Sequence, residues 1–507
     1  MHVRTLSVAV ALAAVSPFGS SSLHAQDPDP VEIDGVVITA TPVPVERSAL
    51  GASVTVLDGE DLRLRGVTEV VDALRAVPGM VVSRNGSFGA VSSVFFRGAE
   101  SDHVQVLVDG VQVNQPGGAF DFASLTVDEV ERIEVVRGPG SALYGSDAVA
   151  GVIQVITRRG GSAPAGSATV RAGSFGRLDG AVSLSGGGEA ASYGFTLSRL
   201  TTDGILPFNN RHEQTVVSGQ ARIRLDPSTR ARISARMSDR SYGFPTDGSG
   251  AVVDRNQQAF GDETTLAVEV ARSLGAIVDL RGLITLADME GGTDDAPDGP
   301  ADTLGFYGFQ SLDAMRRTAV DLRADATLAG GTTATVGAEF EQQRVRSFSE
   351  SLSAFGPFTS RSEYHRDNRA AYVHLVAGRG ALAANGGVRL DDNEQYGRFA
   401  TWQLGASWAL APHTRLRGAA GTGVKEPTFF EVFATGFTTG NPDLDPERSR
   451  TLEVGLDRSF GDEAVRVRAT VFQQDLEDLI QYTGTSPEPG GPNFFNVAEA
   501  RSRGLEL

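Results

Sequence analysis

The stretch RIEVVRGPGSALYGSDAVAGVIQVITRR, Arg132–Arg159, holds the densest group of residues that could grip a ligand. Gly138, Gly140, Ser141, Gly145 and Asp147 follow a β-rich run, the setting in which a glycine-rich loop cradles a phosphate. The dinucleotide pattern GxGxxG needs a third glycine at position 143, where Leu143 stands instead. Other catalytic signals are equally thin. His2, His24, His103, His212, His365, His374 and His413 form no local pair at metal spacing, and no GxSxG nucleophile elbow occurs. The chain has no cysteine, which excludes a thiolate metal centre and a disulfide framework. It reads as a non-enzyme. The glycine-rich loop then becomes a tight connection between two core strands, Ile133–Val136 and Val152–Thr157, with Tyr144 and Asp147 packing and capping inside it.

The elements around this loop set the context. At 507 residues the chain is too long for one average domain. Hydrophobic content of 40% with 21% charged residues excludes wholesale disorder, and 60 glycines against five methionines favour β-structure with many turns. A formal charge of −18 argues against nucleic acid as a partner, because phosphate backbones are bound by basic surfaces. Nearly all the positive charge is arginine, Lys425 being the single lysine. At the N-terminus His2 and Arg4 precede the apolar run Leu6–Val15, and SSLHA offers Ala25 as a cleavage point. That is the layout of an export signal over residues 1–25. No later stretch reaches the roughly 18 apolar residues of a membrane helix, so a membrane form would have to be a β-barrel.

From about Gly166 the sequence alternates with period two. Ala231, Ile233, Ala235 and Met237 interleave with Arg230, Arg232, Ser234, Arg236 and Ser238, and Val217, Gly219, Ala221 and Ile223 with Ser218, Gln220, Arg222 and Arg224. The same pattern recurs around Val336 and Val467. In a soluble sandwich the apolar face would be inside; in a membrane barrel it would meet lipid, with the polar face lining the lumen. Alternation alone leaves both open. Short links such as Leu410–Thr414 alternating with long ones such as Met289–Gly305 and Phe348–Arg366 favour the barrel. About sixteen strand-like segments are expected after Gly166, against the 22 of a closed, plugged transporter barrel. The reading expects a fragment lacking about six C-terminal strands.

Val31–Gly160 reads as a small α+β domain. TEVVDALRAVPGMVV offers Thr68 as an N-cap and Pro78-Gly79 as a stop, predicting a short helix and then a strand. HVQVLVDGVQVN is a hairpin turning at Asp109-Gly110.

Four segments in order, LRAVPGMVV, VFFRGAESDHVQVLVDGVQVN, the opening stretch, and VKEPTFFEVFATGFTTGNPDLDPERSRTLEVGLD, resemble the plug and barrel signatures of TonB-dependent outer-membrane receptors. The compact plug is most similar to that of the cobalamin transporters. The resemblance implies an all-β transmembrane barrel over 161–507 with an α+β plug over 51–160 in its lumen, and a periplasmic segment over 26–50. It implies active import of a scarce nutrient, cobalamin first and a ferric siderophore or haem second, with a passive porin as a weaker alternative. Outer-membrane lipid, a monomeric state and a periplasmic binding protein downstream complete the expected setting.

The same resemblance assigns residues. EIDGVVITATP resembles the box that the energy-coupling protein TonB binds, placed on Asp34, Gly35, Val36, Val37, Ile38, Thr39 and Ala40. Such a segment would add a strand to a partner's sheet edge, and nearby prolines would keep it from folding internally. Two plug loops would form the floor of the substrate site through Asn85, Ser87, Phe88, Asn114, Gln115 and Phe120, with Phe306, Tyr307, Phe355 and Phe358 stacking on a ligand from the outer loops. Arg97 and Arg137 would pair with barrel glutamates Glu453 and Glu506. No cofactor is required. Asp203 and Asp254 stand where the cobalamin transporters hold calcium, although Thr201 and Gly243 replace further acids of that pattern.

Overall fold

The computed structural model describes residues 36–246, 250–299, 306–354, 356–436, 438–461 and 465–507. The export signal, Asp34, Gly35 and Phe355 lie outside them, as does the side chain of Phe306.

The first part is built from short strands: β1 (Val36–Val37), β2 (Val45–Glu46), β3 (Val54–Asp58), β4 (Met80–Arg84), β5 (Ser92–Phe96), β6 (Val104–Val108), β7 (Val111–Gln112), β8 (Val130–Arg137) and β9 (Gly151–Thr157). Five of them form a mixed sheet in the order β3-β8-β9-β6-β7, with β6 parallel to β9 and the other pairings antiparallel. The hairpin between β6 and β7 turns where expected: Asp109 and Gly110 both have positive φ, 51° and 90°, as a two-residue type I′ turn requires. Helix α1 (Gly59–Leu64) is capped by Asp58, whose carboxylate accepts from the Asp61 N–H at 2.9 Å. Helix α2 (Val70–Leu74) matches the predicted helix, but Glu69 and not Thr68 is its N-cap. Thr68 is used otherwise: its carbonyl accepts from Val127 N–H and its hydroxyl from Arg177. A third helix, α3 (Ser141–Tyr144), forms inside the glycine-rich loop. Val70, Val71 and Leu74 pack with Val106, Ile133, Val135 and Ile153 in one apolar core.

The second part is one antiparallel sheet of sixteen strands, each paired with its sequence neighbours. These are β10 (Ala165–Ala172), β11 (Leu178–Gly187), β12 (Ala191–Thr202), β13 (His212–Arg224), β14 (Thr229–Gly243) and β15 (Gln258–Leu274). Then come β16 (Val278–Asp295), β17 (Phe306–Leu328), β18 (Thr332–Ser353), β19 (Gly356–Arg379) and β20 (Leu382–Asn393). The last are β21 (Gly397–Ala411), β22 (Thr414–Lys425), β23 (Glu447–Phe460), β24 (Val465–Tyr482) and β25 (Phe494–Glu506). A short helix, α4 (Phe429–Phe433), follows β22.

Both of the expected long loops contain strand. β16 runs on to Asp295, and β18 and β19 meet across Ala354–Gly356, so Phe348–Arg366 is a tall hairpin.

The alternation is inside out relative to a soluble protein. On β14 Ser234, Arg236 and Ser238 are buried, while Ile233 is 39% and Met237 52% exposed. Leu184, Val336, Val388, Leu404 and Val471 are exposed in the same way. An apolar belt outside and arginine and serine inside is the sidedness of a membrane barrel, where lipid covers the belt. This decides between the two architectures that the sequence left open.

Candidate functional site

The N-terminal segment is docked, not free. Val37 is fully buried among Leu50, Val54, Leu107, Val136 and Val152, and β1 pairs with β2. The Glu134 carboxylate on β8 accepts from the N–H of Ile38 at 2.9 Å, the N–H of Thr39 at 3.1 Å and the Thr39 hydroxyl at 2.7 Å. The Tyr144 hydroxyl donates to the Thr39 carbonyl at 2.9 Å. The expectation that prolines would keep this segment from folding internally therefore fails: Pro42 and Pro44 sit in the connection between β1 and β2, where no ladder N–H is needed. Val37, Ala40 and Leu50 pack against plug residues in one apolar cluster. Glu134 and Tyr144 were not foreseen as partners of this segment. A glutamate within an apolar strand, VERIEVV, was the available signal.

The proposed substrate floor divides in two. Asn114 is wholly buried, and its side chain is saturated: Oδ1 accepts from Val106 N–H at 2.7 Å and Gln105 Nε2 at 3.0 Å, while Nδ2 donates to the carbonyls of Val104 and Gly118. Phe120 is buried edge-on against Phe122 in the plug core. In this arrangement both hold the loop's shape and offer nothing to a ligand. Ser87 is buried and accepts from Ile205 N–H at 3.3 Å, tying the plug loop to an outer loop of the barrel. Asn85 and Gln115 are exposed, and Phe88 lies half-buried under Arg177, whose guanidinium is 5.5 Å from its ring centre. Above them Tyr364 stacks on Phe433 at 4.4 Å and on Phe429 at 6.0 Å. That outer aromatic cluster was missed, since Tyr364 of β19 lies far in sequence from Phe429 and Phe433 of α4.

The plug arginines and barrel glutamates meet. Arg97 Nε and Nη2 donate to the Glu506 carboxylate at 2.8 and 3.0 Å, and Nη1 to Glu453 at 2.8 Å, all side chains being buried. Glu453 also accepts from Ser53 N–H at 2.6 Å. Burial works against the Arg97 charge, yet the Glu506 and Glu453 carboxylates outweigh it and hold its pKa above the ordinary value. Arg137 differs from the expectation. It donates within the plug, to the Pro78 carbonyl at 3.0 Å and the Thr55 hydroxyl at 3.1 Å, and its nearest barrel carboxylate, Glu506, is 3.7 Å away. Burial pushes its pKa down to about 10.

Further buried pairs were not foreseen, because each joins residues a hundred or more positions apart. Arg236 of β14 grips plug Glu129 through Nε at 3.0 Å. His103 Nε2 lies 2.6 Å from Glu447, and Lys425, the single lysine, is buried 3.3 Å from Asp102. Gln220 of β13 donates to Asp109 at 2.7 Å.

Asp203 and Asp254 are the acids that the resemblance would place on calcium. Asp254 caps its own turn, accepting from Asn256 and Gln257 N–H groups at 2.9 and 2.6 Å. Among the described residues no group of three or more His, Cys, Asp or Glu could hold a metal ion.

Two family models match the chain: "TonB dependent receptor-like, beta-barrel" over residues 166–507 and "TonB-dependent Receptor Plug Domain" over residues 46–152. The chain is similar to a vitamin B12 transporter, BtuB of Vibrio vulnificus, at 28% identity over 499 residues, covering 96% of this chain and 77% of the relative. Among solved structures, the ferric enterobactin receptor PfeA of Pseudomonas aeruginosa superposes with a TM-score of 0.75 at 17% identity, covering 93% of this chain and 78% of its own. The siderophore receptor PirA of Acinetobacter baumannii gives 0.73 at 18% identity, with 90% and 78% covered. The copper transporter OprC gives 0.72 at 17% identity, with 89% and 76% covered.

Proposed function

Because the chain belongs to the TonB-dependent receptors, transporters of the Gram-negative outer membrane and not enzymes, we propose that its cargo is cobalamin. The observation that carries this reading is the 28% identity to a vitamin B12 transporter across 96% of the chain. The siderophore and copper receptors share the fold at 17–18% identity, which speaks for the fold alone. A ferric chelate is the second reading, favoured by the aromatic cluster of Tyr364, Phe429 and Phe433, whose flat faces suit catecholate as well as corrin. A passive porin is disfavoured by a lumen that holds a plug through buried ion pairs.

In this reading substrate lands on exposed Asn85 and Gln115, and TonB takes Val36–Ala40 by strand addition once the Glu134 contacts are released. Isothermal titration of the folded chain with cyanocobalamin, and separately with ferric enterobactin, tests the choice. Micromolar or tighter binding of cyanocobalamin alone supports it. No heat with cyanocobalamin, where the ferric chelate binds, replaces it with the second reading.

A further inference from the structure

Between the plug and the barrel wall, beside the docked N-terminal segment, lies a cavity of about 580 Å³. Ile38, Thr41, Pro42 and Pro44 form one side of it, Tyr144 and Gln154 of the plug another, and the short turn before β12 borders its mouth. The remaining wall is cationic. Seven arginines and two glutamates line the space, in a chain whose net charge is −18.

Pairing does not account for this charge. Arg159 lies 3.4 Å from Glu131 and Arg232 3.4 Å from Glu269, while Arg281 and Arg323 share Asp325 at 3.2 and 3.6 Å. Among the described residues no carboxylate stands within ion-pair distance of Arg222, Arg224 or Arg230, and all three are exposed. The strand register makes the arrangement costly: Arg222 faces Arg232 and Arg224 faces Arg230 across β13 and β14, and Arg281 faces Arg323 across β16 and β17. Like charges directly opposite each other destabilise a sheet. Three such pairs on one wall point to a negatively charged occupant.

We propose that this cavity is a second binding site, on the side of the plug away from the substrate floor, for the anionic oxygen groups of a small solute, phosphate or carboxylate in class. It rests on the transport reading: the solute would pass here on leaving the barrel. The geometry gives a reason. One lining residue, Ile38, belongs to the segment on which TonB is proposed to pull, and Thr41, Pro42 and Pro44 follow it directly, so withdrawing that segment removes one wall and opens the cationic surface. A carboxylate or phosphate then meets guanidinium forks that no protein acid already occupies.

The test uses the full chain folded in detergent and pyranine, a trisulfonated fluorescent dye, as the probe. Saturable dye binding is expected, weakened about tenfold in Arg222→Gln/Arg224→Gln/Arg230→Gln, as losing charge-assisted contacts predicts. Equal dye affinity in the two proteins overturns the site. The substitutions leave no carboxylate unpaired and relieve repulsion, so the variant is expected to fold. Salt provides an independent measurement on the unsubstituted chain, where affinity indifferent to ionic strength also overturns the site. Displacement of the dye by inorganic phosphate supports a solute site, and displacement by dihexanoyl phosphatidylglycerol alone reassigns the wall to lipid headgroups and overturns it. The two readings fail separately. Dye binding without binding of cyanocobalamin or ferric enterobactin removes the substrate reading only, and substrate binding without dye binding removes the chamber only.

Discussion

Arg97 is the point at which the plug is most firmly indexed to the barrel, and Arg97→Met tests that. Methionine keeps the packing beneath the Phe472 ring, which the guanidinium now covers at 4.3 Å, and removes only the charge. Glu506 is left with Arg137 at 3.7 Å, and Glu453 with Arg417 at 3.6 Å and the Ser53 N–H at 2.6 Å. Stranding a buried charge costs about 3–5 kcal/mol. Because both carboxylates retain a distant guanidinium, the lower end applies, about 3 kcal/mol, or roughly a hundredfold in the docking equilibrium. Hydrogen exchange of amides in β8 and β9 reads this, since plug release precedes their exposure. Exchange should accelerate by about that factor. Replacing the partners too, as Arg97→Met/Glu453→Gln/Glu506→Gln, should recover most of the loss. A single variant within about 0.5 kcal/mol of the unsubstituted chain, the range of a surface pair, would refute the reasoning.

Asn114→Ala should destabilise the plug by about 3 kcal/mol, because two buried N–H donors and two carbonyls lose their partner; Gln115→Ala should leave the urea midpoint unchanged and weaken ligand binding in the same titration that tests the cargo. Glu426, between β22 and α4, is buried 2.9 Å from Arg366, and burial pushes its carboxyl up to about 7. The folded chain therefore keeps a proton that the unfolded chain loses near the ordinary value of 4.5, so this contribution is complete below about pH 4.5 and is lost as pH rises to about 7, by roughly 3 kcal/mol. Glu426→Gln should flatten the thermal midpoint across that window; an unchanged slope would exclude Glu426 as its source. Deleting Val36–Ala40 should preserve ligand binding at the cell surface and stop uptake, and uptake that persists would remove TonB coupling through this segment.

How much of this was legible follows from the range of each interaction. Period-two alternation is local, so about sixteen strands and the division of each into a polar and an apolar face could be read from runs such as Ala231–Ser238. Which face met lipid could not, because the same run fits a sandwich until the burial of Arg236 is known. Arg97, Glu453 and Glu506 were found through motif resemblance, whereas the Arg236–Glu129 and His103–Glu447 pairs had no motif to mark them. That Asn114 and Phe120 are already engaged within the plug was not legible, because residue type indicates what a group can bond and not whether its bonds are already made. Thr68 was displaced as a cap by Glu69 because its carbonyl and hydroxyl were engaged elsewhere.

The chemistry of the plug's attachment bears on how it works. Its own core is apolar, built on Val71, Leu74, Val106 and Ile153, and reaches the wall at Leu476 and Leu479, with Val111 against Ala267 and Ala287, but its hydrogen-bonded anchors are buried polar pairs: Arg97 on Glu453 and Glu506, Glu129 on Arg236, Asp109 on Gln220. Burying an equal area of apolar surface would add stability in proportion to the area, and would resist displacement in any direction. Buried ion pairs behave otherwise, since the desolvation cost nearly cancels the attraction while the geometry stays strict. Such pairs fix the plug in one register while adding little net stabilisation of their own. The N-terminal segment is held as lightly: one carboxylate, Glu134, accepts from Ile38 and Thr39, and Val37 sits in a small apolar patch, contacts that strand addition by TonB, in the proposed reading, would have to displace.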